Sequence, residues 1–467
     1  MQSGFFLYCC VFLCSSLREF FQCRFHFPAF LRTFFFCKRA IAKGETSSVE
    51  LVTAYLDQIA AKDAEIQAFQ VLDREHALRQ AARADALRKE GKGTGRLHGV
   101  PVAVKDIIDT ADMPTEHGSR VFAGRQPERD AQCVANLRAA GAVILGKTVT
   151  TELATLQPSR TRNPHNTGHT PGGSSAGSAA AVASAMAPLA LGTQTIGSII
   201  RPAAFCGVVG YKPTVGLVPR AGVMEQAASL DTVGGMARSV DDVALLVEIM
   251  QGHDVNDPAS IPAARPPLLA TAQQHWPLPP MFAFIKTHAW EQADAVTREA
   301  FGELVEQLGA QVSEVSIDHS TAAGVEAARI VNRVELAAIF GPVLDRSPDL
   351  FGDKVIAMIE DGRRVSGVQY LDALNARHKY YETVEDILVN HGTILTPAAL
   401  GVAPQGLGAT GDPVFCAFWT YLGVPAITLP LLEVDGMPMG VQLVGARRDD
   451  GRLLRTANAL VKQLETA

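Results

Sequence analysis

Two serines and one lysine are the residues of this 467-residue chain most able to do chemistry together. Ser174 and Ser198 lie in two glycine-bearing turns within the small-residue run GGSSAGSAAAVASAMAPLALGTQTIGSIIR. Glycine permits close backbone approach and backbone angles that other residues avoid. Lys105 ends the apolar run GVPVAVKD, which predicts a buried strand. Because lysine is rare in protein interiors unless it is paired or functional, the pattern indicates serine chemistry assisted by a buried amine.

These residue types suit the hydrolysis of an amide. An amide carbonyl is a poor electrophile, so an attacking hydroxyl must lose its proton to a base as it attacks. Burial in apolar surroundings disfavours the ammonium form of a lysine and lowers its pKa. A buried lysine can therefore be a neutral base near pH 7 and take the place of the more usual histidine.

Three segments resemble the motifs of the amidase signature family and follow one another in the same order. They are GVPVAVKD at 99–106, GGSSAGS at 172–178 and GTQTIGS at 192–198. Two further regions, 201–214 and 410–430, are also similar to the family. The resemblance runs from about residue 40 to the C-terminus. It implies a single α/β/α domain whose mixed sheet is flanked by helices on both faces.

The resemblance also implies a role for each of these residues. Lys105 is the neutral base, and Ser198 is the nucleophile that forms an acyl-enzyme. Ser174, held by a cis peptide bond after the supporting residue Gly173, relays protons between them. Backbone N–H groups of the nucleophile turn form the oxyanion hole, and removing one such donor typically costs ~10²–10³-fold in rate. The turn consists of Thr195, Ile196, Gly197 and Ser198.

Ile196 departs from the family pattern, because most members have glycine at this position. A β-branched residue is disfavoured at positive φ. If the turn needs a left-handed residue, we expect Ile196 to strain or reshape it. Such a change would narrow the acyl pocket, slow the enzyme or abolish its activity.

Arg201 lies three residues after the nucleophile, and two interpretations of it stay open. Guanidinium groups bind carboxylates through paired hydrogen bonds, so Arg201 is a candidate for binding a carboxylate on the substrate. The other interpretation is a structural ion pair below the site.

Other motif-like residues in this region have simpler interpretations. Ser175 fits the G-x-S-x-G pattern of a nucleophile elbow, but that elbow follows a buried strand, and the preceding residues 162–171 have loop composition. Ser175 is therefore expected to cap the next helix or to hydrogen-bond within the site. His165 and His169 are interpreted as loop residues because no further metal ligand is clustered with them.

Composition narrows the functional classes. The net charge of −6 comes without a basic stripe, which argues against nucleic-acid binding. The chain contains no Walker sequence, dinucleotide fingerprint or CxxC pair, so no cofactor and no metal are predicted. Cys133, Cys206 and Cys416 stand singly in apolar segments, as expected of buried free thiols in the cytoplasm.

Residues 1–38 differ from the rest of the chain. They are rich in phenylalanine and contain five of the eight cysteines. Their apolar run at 5–14 is shorter than the about 20 residues that span a bilayer, and a basic signal-peptide region is missing. We expect this stretch to lie outside the folded enzyme, with a membrane-surface anchor as the alternative. The amidase domain is then 39–467, with its signature core at about 95–250.

The hydrophobic pattern predicts alternating strands and helices, which favours helices packed on the faces of a sheet. Ser47 and Glu50 have capping-box spacing at the start of a first helix. Further predicted helices cover 74–90, 131–140, 175–187, 325–345 and 367–390, and predicted strands cover 142–146, 281–285, 312–317, 393–396 and parts of 425–444. Periodicity alone leaves a two-domain arrangement open.

The main functional prediction is a free-standing amidase that hydrolyses a small carboxylic amide. The first alternative is the glutaminase subunit of a tRNA-dependent amidotransferase, which works with partner subunits. The second is an amidase-like protein whose catalysis is impaired by Ile196. A homodimer is compatible with the sequence, whereas membrane contact is not expected. The aromatic residues at 415–419 fit either the acyl pocket or the core.

Overall fold

The computed structural model describes residues 34–92, 95–317 and 320–466. Within these residues, the strands join into one 11-stranded mixed sheet. The strands are β1 (Phe69–Leu72), β2 (Pro101–Lys105), β3 (Val143–Thr148), β4 (Leu189–Gln194), β5 (Val209–Lys212), β6 (Thr232–Ala237), β7 (Phe282–Ile285), β8 (Val312–Val315), β9 (Thr393–Pro397), β10 (Ala426–Val434) and β11 (Met437–Val444). Their order across the sheet is β1-β3-β2-β4-β6-β5-β10-β11-β9-β7-β8.

Helices connect the strands and bury the sheet. They are α1 (Phe34–Lys43), α2 (Ser48–Ile66), α3 (Arg74–Lys89), α4 (Gln132–Ala139), α5 (Ala176–Ala183), α6 (Ile200–Cys206), α7 (Val240–Met250), α8 (Leu268–Ala272), α9 (Ala295–Leu308), α10 (Ser320–Arg346), α11 (Asp353–Arg364), α12 (Gly367–His391), α13 (Val414–Tyr421) and α14 (Asp450–Thr466). Successive residues of β2 point to different sides: Val102 and Val104 join one hydrophobic cluster, and Ala103 joins another. A strand that is apolar on both sides must be covered on both, so the predicted α/β/α fold is confirmed.

The register of the central strands determines which residues meet at the site. β2 runs parallel to β4, and Val104 is opposite Leu191. The C-terminal ends of both strands therefore lie at the same edge of the sheet, with Lys105 on one and Thr193 on the other. β4 pairs antiparallel with β6, and Gln194 is opposite Thr232. This pairing brings the start of β6 beside the nucleophile turn.

Most local predictions agree with the structure to within a few residues. Both hydrogen bonds of the capping box between Ser47 and Glu50 are present. The predicted helix at 175–187 is wrong at its end, because α5 stops at Ala183. The chain then turns through Ala185, which has φ 56°, and enters β4, a strand that the alanine-rich composition did not reveal. Helix α11 was also not predicted.

The N-terminal boundary needs a correction. Residue 38 falls inside α1, and Cys37 is buried in the core at 1% exposure. Residues 1–33 are outside the described part of the chain, so most of the prediction about the N-terminal stretch stays untested. Cys133, Cys206 and Cys416 are buried and unpaired, as predicted. No described helix combines the length and apolar character needed to cross a membrane.

Candidate active site

Lys105 is fully buried at the end of β2 and hydrogen-bonds two hydroxyl groups. Its Nζ donates to Ser174 Oγ and to Thr193 Oγ1, each at 2.7 Å. The parallel register of β2 and β4 places Thr193 there, and the turn before α5 supplies Ser174. The structure thus brings together two of the three predicted catalytic residues in direct contact.

The surroundings of Lys105 favour its uncharged amine. Burial lowers the pKa of Lys105 well below its ordinary range, and the Asp231 carboxylate opposes this effect in part. Both hydrogen-bond acceptors are neutral hydroxyls, so neither compensates a full positive charge. Desolvation is therefore the dominant cause, as expected for a lysine without an adjacent carboxylate.

Ser174 follows a cis peptide bond from Gly173, as the family resemblance implies. The carbonyl oxygen of Ser174 accepts a hydrogen bond from Thr151 N at 3.1 Å. The carbonyl oxygen of Gly173 accepts one from Arg201 Nη2 at 2.7 Å. The backbone on both sides of the cis bond is thus fixed, and the Ser174 hydroxyl is directed at Lys105.

Ser198 lies beside this segment and borders a cavity. Its carbonyl oxygen accepts a hydrogen bond from Ser175 N at 3.3 Å, which joins the two serine-bearing turns. Ser198 is 7% exposed and lines a cavity of about 330 Å³. The predicted nucleophile is therefore next to Ser174 and accessible from a space that can hold a small acyl group.

The nucleophile turn leaves backbone donors free. Among the described residues, none accepts a hydrogen bond from the backbone N–H groups of Ile196, Gly197 and Ser198. Gly197 has little room for a side chain, since an added Cβ would lie only 3.0 Å from both Cys416 Cβ and Pro413 Cβ. Unpaired N–H groups in a turn that carries the predicted nucleophile suit the stabilisation of an oxyanion.

Gln194 and Thr420 hold this turn, and the sequence analysis did not identify either. Gln194 Oε1 accepts hydrogen bonds from Ile199 N at 2.8 Å and Ile200 N at 2.9 Å. Its Nε2 donates to Thr420 Oγ1 at 2.8 Å. Thr420 Oγ1 in turn donates to the carbonyl oxygen of Ile196 at 2.7 Å. The turn is therefore fixed through its carbonyl and through the start of α6, while its own N–H groups stay unpaired.

Thr195 connects the turn to a buried carboxylate that was also not predicted. Thr195 Oγ1 donates to Asp231 Oδ1 at 2.5 Å. Asp231 Oδ2 accepts from Gln226 N at 2.8 Å and Ala227 N at 2.9 Å. Burial raises the pKa of Asp231 to about 6, although these hydrogen bonds oppose the rise. Asp231 therefore both anchors the turn and carries the charge that acts on Lys105.

Ile196 does not strain the turn in the way the sequence suggested. Its φ lies outside the left-handed region, in which the described non-glycine residues are Gln67, His117, Leu153, Ala154, Ala185, Asp435 and Arg448. The Ile196 side chain is half-buried, packs against a hydrophobic cluster and lines the cavity. The backbone thus accommodates a β-branched residue, and the side chain forms part of the cavity wall next to Ser198.

Arg201 does not form the structural ion pair that was one of its two interpretations. It is 2% exposed, and its Nη2 donates to Gly173 O and, at 3.4 Å, to Thr410 Oγ1. Its Nε and Nη1 have no hydrogen-bond partner among the described residues. Arg201 also lines the cavity. It therefore supports Gly173 with one nitrogen while a second donor remains free.

The remaining residues in the region are structural. Ser175 Oγ donates to Thr193 O at 3.2 Å and makes no helix cap, so the second of its two predicted roles applies. His165 Nε2 and His169 Nδ1 each hydrogen-bond a backbone carbonyl. No group of three potential metal ligands occurs among the described residues. The aromatic residues at 415–419 are buried in a hydrophobic cluster and do not line the cavity.

Known proteins are similar to this chain in both sequence and fold. A model of the Amidase family matches residues 50–454. A glutamyl-tRNA(Gln) amidotransferase subunit of Salinispora arenicola is 34% identical over 469 residues, which covers 90% of this chain and 94% of that protein.

Two solved structures show the same similarity in three dimensions. One is described as a vestigial protein complex that reveals the evolutionary origins of an s-triazine catabolic enzyme. It has a TM-score of 0.86 at 30% identity and covers 92% of this chain and 98% of that chain. The native peptide amidase from Stenotrophomonas maltophilia has a TM-score of 0.78 at 30% identity. The match covers 92% of this chain and 96% of that chain.

Proposed function

The chain belongs to the amidase family, and on that basis we propose that it hydrolyses a carboxamide through an acyl-enzyme on Ser198. The observation that carries the proposal is the 2.7 Å hydrogen bond from the buried Lys105 Nζ to Ser174 Oγ. A lysine whose pKa is lowered by burial can accept a proton, and Ser174 connects it to the turn of Ser198. All three residues fall within the expected signature core, about 95–250.

The reaction begins when Ser198 Oγ attacks the amide carbon. The proton of Ser198 passes to Ser174 Oγ, and the proton of Ser174 passes to Lys105 Nζ. Backbone N–H groups from Thr195 to Ser198 stabilise the tetrahedral oxyanion. As this intermediate collapses, the C–N bond breaks, and the proton returns through Ser174 to the leaving nitrogen.

Water completes the cycle by attacking the acyl-enzyme. The same relay takes the proton of the water, and Ser198 leaves with that proton when the acid is released. Thr193 Oγ1 stays hydrogen-bonded to Lys105 Nζ and stabilises the ammonium each time it forms. Ammonia or an amine and a carboxylic acid are the products.

The glutaminase subunit of a tRNA-dependent amidotransferase is the second candidate. The relative from Salinispora arenicola is named as an amidotransferase component and is matched over nearly its whole length. This similarity supports the second candidate better than it supports a free-standing amidase. The peptide amidase of similar fold supports the free-standing alternative. The proposed chemistry at Ser198 is the same in both cases, and only the source of the amide and the need for partner subunits differ.

Ammonia release by the isolated chain tests the proposal. We expect ammonia from at least one simple primary amide, and we expect none from Ser198→Ala. Glutaminase activity that appears only with added amidotransferase subunits would identify the second candidate. Retention of full activity by Ser198→Ala would contradict the assignment of the nucleophile.

The cellular location is a further proposal. Cys133, Cys206 and Cys416 are buried and form no disulfide. Free thiols are usual in reducing compartments, which supports a cytoplasmic enzyme.

A further inference from the structure

A second pocket is formed by the segment after β5, the end of α7, the segment before α8 and the start of α14. Its volume is about 140 Å³, and none of the described residues that line it also lines the cavity beside Ser198. A single water needs only about 10–15 Å³, so a small anion fits. We call it the arginine pocket. Its polar lining consists of Thr214, Gln251, Arg265, Arg448 and Asp450.

The two arginines of this pocket have no counter-ion within the chain. Arg265 and Arg448 are exposed, and among the described residues neither side chain has a hydrogen-bond or ion-pair partner. A guanidinium is always protonated in proteins, so the two positive charges repel each other. Guanidinium groups bind phosphate through paired hydrogen bonds. An anion bound to both arginines would therefore replace repulsion with attraction.

The backbone holds both arginines at the pocket. Gly252 has no side chain, and a Cβ built there would lie 2.9 Å from Arg265 Nη2, so this guanidinium lies directly against the main chain. Arg448 has a left-handed backbone with φ 64°, and its N–H donates to Thr214 Oγ1 at 2.9 Å. Non-glycine residues are costly in this region and cluster at ligand-binding sites. The backbone of Arg448 is thus a second indication of a site.

Gln251 adds an acceptor that lacks a donor. It is 1% exposed, and its Oε1 has no partner among the described residues. Its Nε2 donates to the carbonyl oxygen of Pro266 at 2.9 Å. Exchanging the amide oxygen and nitrogen would bring two acceptors together, so this bond fixes the orientation of the amide. Because buried polar groups nearly always have a partner, a ligand of this pocket is expected to donate a hydrogen bond as well as to carry negative charge.

The Asp450 carboxylate does not neutralise the arginines. Its Oδ1 accepts hydrogen bonds from Tyr211 Oη at 2.6 Å and Thr214 N at 2.8 Å, and its Oδ2 accepts one from Thr214 Oγ1 at 2.5 Å. Its charge also acts on the buried Lys212. Asp450 therefore binds interior groups, and the two guanidinium groups of the lining outnumber it.

We propose that the arginine pocket binds hydrogenphosphate, with Arg265 and Arg448 on its charged oxygens and its O–H donated to Gln251 Oε1. Sulfate and carboxylates are charged at neutral pH but carry no O–H. Phosphate monoesters lose their O–H with a pKa of about 6, and diesters have none. Hydrogenphosphate alone among these anions keeps an O–H at higher pH. The site is separate from Ser198, so this inference does not depend on the proposed hydrolysis.

Titration calorimetry of the full chain with three anions tests the inference. At about pH 8, above the monoester pKa of about 6, and at constant ionic strength, inorganic phosphate should bind with a Kd of about 1 mM or below. Sulfate and methyl phosphate then lack the O–H, and the loss of one hydrogen bond with a charged group predicts binding weaker by about 10- to 150-fold. Equal binding of the three anions, or no saturable binding of phosphate, would overturn the inference. Tighter binding of methyl phosphate would overturn it in favour of a phosphate ester.

Variants locate the binding. Arg265→Gln and Arg448→Gln should each weaken phosphate binding about tenfold or more. Gln251→Leu removes the acceptor and should abolish the preference for phosphate over sulfate. Arg346→Gln, on an exposed arginine at the end of α10, is the matched control and should bind phosphate as the wild type does. Unchanged affinity in both pocket arginine variants, or a full phosphate preference in Gln251→Leu, would contradict the assignment.

Thermal unfolding gives an independent measurement and shows whether each variant is folded. A ligand that binds only the folded state raises Tm, whereas sulfate stabilises proteins generally because it is excluded from their surface. At equal ionic strength, phosphate should raise the Tm of the wild type more than sulfate does. This excess should disappear in Arg265→Gln and persist in Arg346→Gln. An excess that remained in Arg265→Gln would place the phosphate elsewhere and refute the site.

Discussion

Thr193→Val is the substitution that most directly probes how Lys105 is held. It replaces the hydroxyl that accepts a 2.7 Å hydrogen bond from Lys105 Nζ with a methyl group of similar size. The Ser174 contact and the backbone bonds of Thr193 to Ser175 remain. The variant therefore removes one of the two acceptors of the amine and leaves the strand intact.

The expected effect follows from the difference between the two protonation states of the lysine. A hydrogen bond to a charged group contributes about 1.5–3 kcal/mol, against about 0.5–1.5 kcal/mol for a neutral pair. The ammonium that develops during proton transfer therefore loses about 1–1.5 kcal/mol more than the resting amine. This difference predicts a decrease in kcat of about 5- to 13-fold.

The pH dependence should change as well. The lost bond stabilised the ammonium more than the amine, so its removal lowers the pKa of Lys105 further. Since the base must be uncharged, activity falls as pH decreases through this pKa, and the acid limb of kcat/KM should move to lower pH. Steady-state kinetics across a range of pH measures both effects.

Thr193→Ser is the matched control, because it keeps the hydroxyl and loses only a methyl group. We expect its kcat and acid limb to stay close to those of the wild type. If Thr193→Val showed wild-type kcat and pH dependence, the ammonium would not form at this position during the reaction. If Thr193→Ser lost as much activity as Thr193→Val, packing and not hydrogen bonding would explain the role of Thr193.

Three further predictions concern the turn and the core. Asp231→Asn removes the charge that opposes the low pKa of Lys105, so the acid limb of kcat/KM should move to lower pH. The substitution also weakens the hydrogen bond that anchors Thr195, so kcat should fall. An unchanged pH profile would contradict the electrostatic coupling between Asp231 and Lys105. Ile196→Gly widens the cavity and should raise kcat/KM for aryl amides relative to acetamide; an unchanged ratio would mean that Ile196 does not limit acyl size. Burial lowers the pKa of Lys212 to about 7, whereas the pKa of a lysine in an unfolded chain is about 10.4. Between these two pH values the unfolded state binds more protons than the folded state. The free energy of unfolding therefore rises with pH across this interval. Lys212→Met should reduce this dependence of the free energy of unfolding on pH. Urea unfolding at the two ends of that pH interval measures the dependence, and an unchanged difference between the two free energies would contradict the prediction.

The sequence motifs indicated the positions of the three candidate catalytic residues for a physical reason. Ser174 and Ser198 stand in glycine-bearing turns, and Lys105 ends an apolar run that forms the buried β2. Such short-range patterns are visible without knowledge of the fold. The cis bond at Gly173 and the position of the free N–H groups agree with what the family resemblance implied.

The partners of these residues could not be predicted in the same way. Asp231 reaches Thr195 only because β6 pairs antiparallel with β4. Thr420 comes from a helix more than two hundred residues away from the turn along the chain. No local pattern encodes these contacts, because they depend on the order of strands in the sheet. Arg201 shows the same limit, since its sequence position was compatible with two roles that only packing distinguishes.

The extent of α5 shows a different limit. Small residues continue from Ala176 to Ala187, and the composition is equally compatible with a helix throughout. The helix nevertheless ends at Ala183, because the chain must turn at Ala185 to enter β4. Tertiary structure, and not residue preference, determines this boundary.

Covalent labelling with a fluorophosphonate probe, mapped by peptide mass spectrometry, tests the central claim most directly. The claim is that uncharged Lys105 activates Ser198 through Ser174. We expect the wild-type protein to be labelled on Ser198, and we expect Lys105→Ala to react about 10²–10⁴-fold more slowly, as is typical when a general base is lost. Labelling of another serine, or an undiminished rate in folded Lys105→Ala, would contradict the claim.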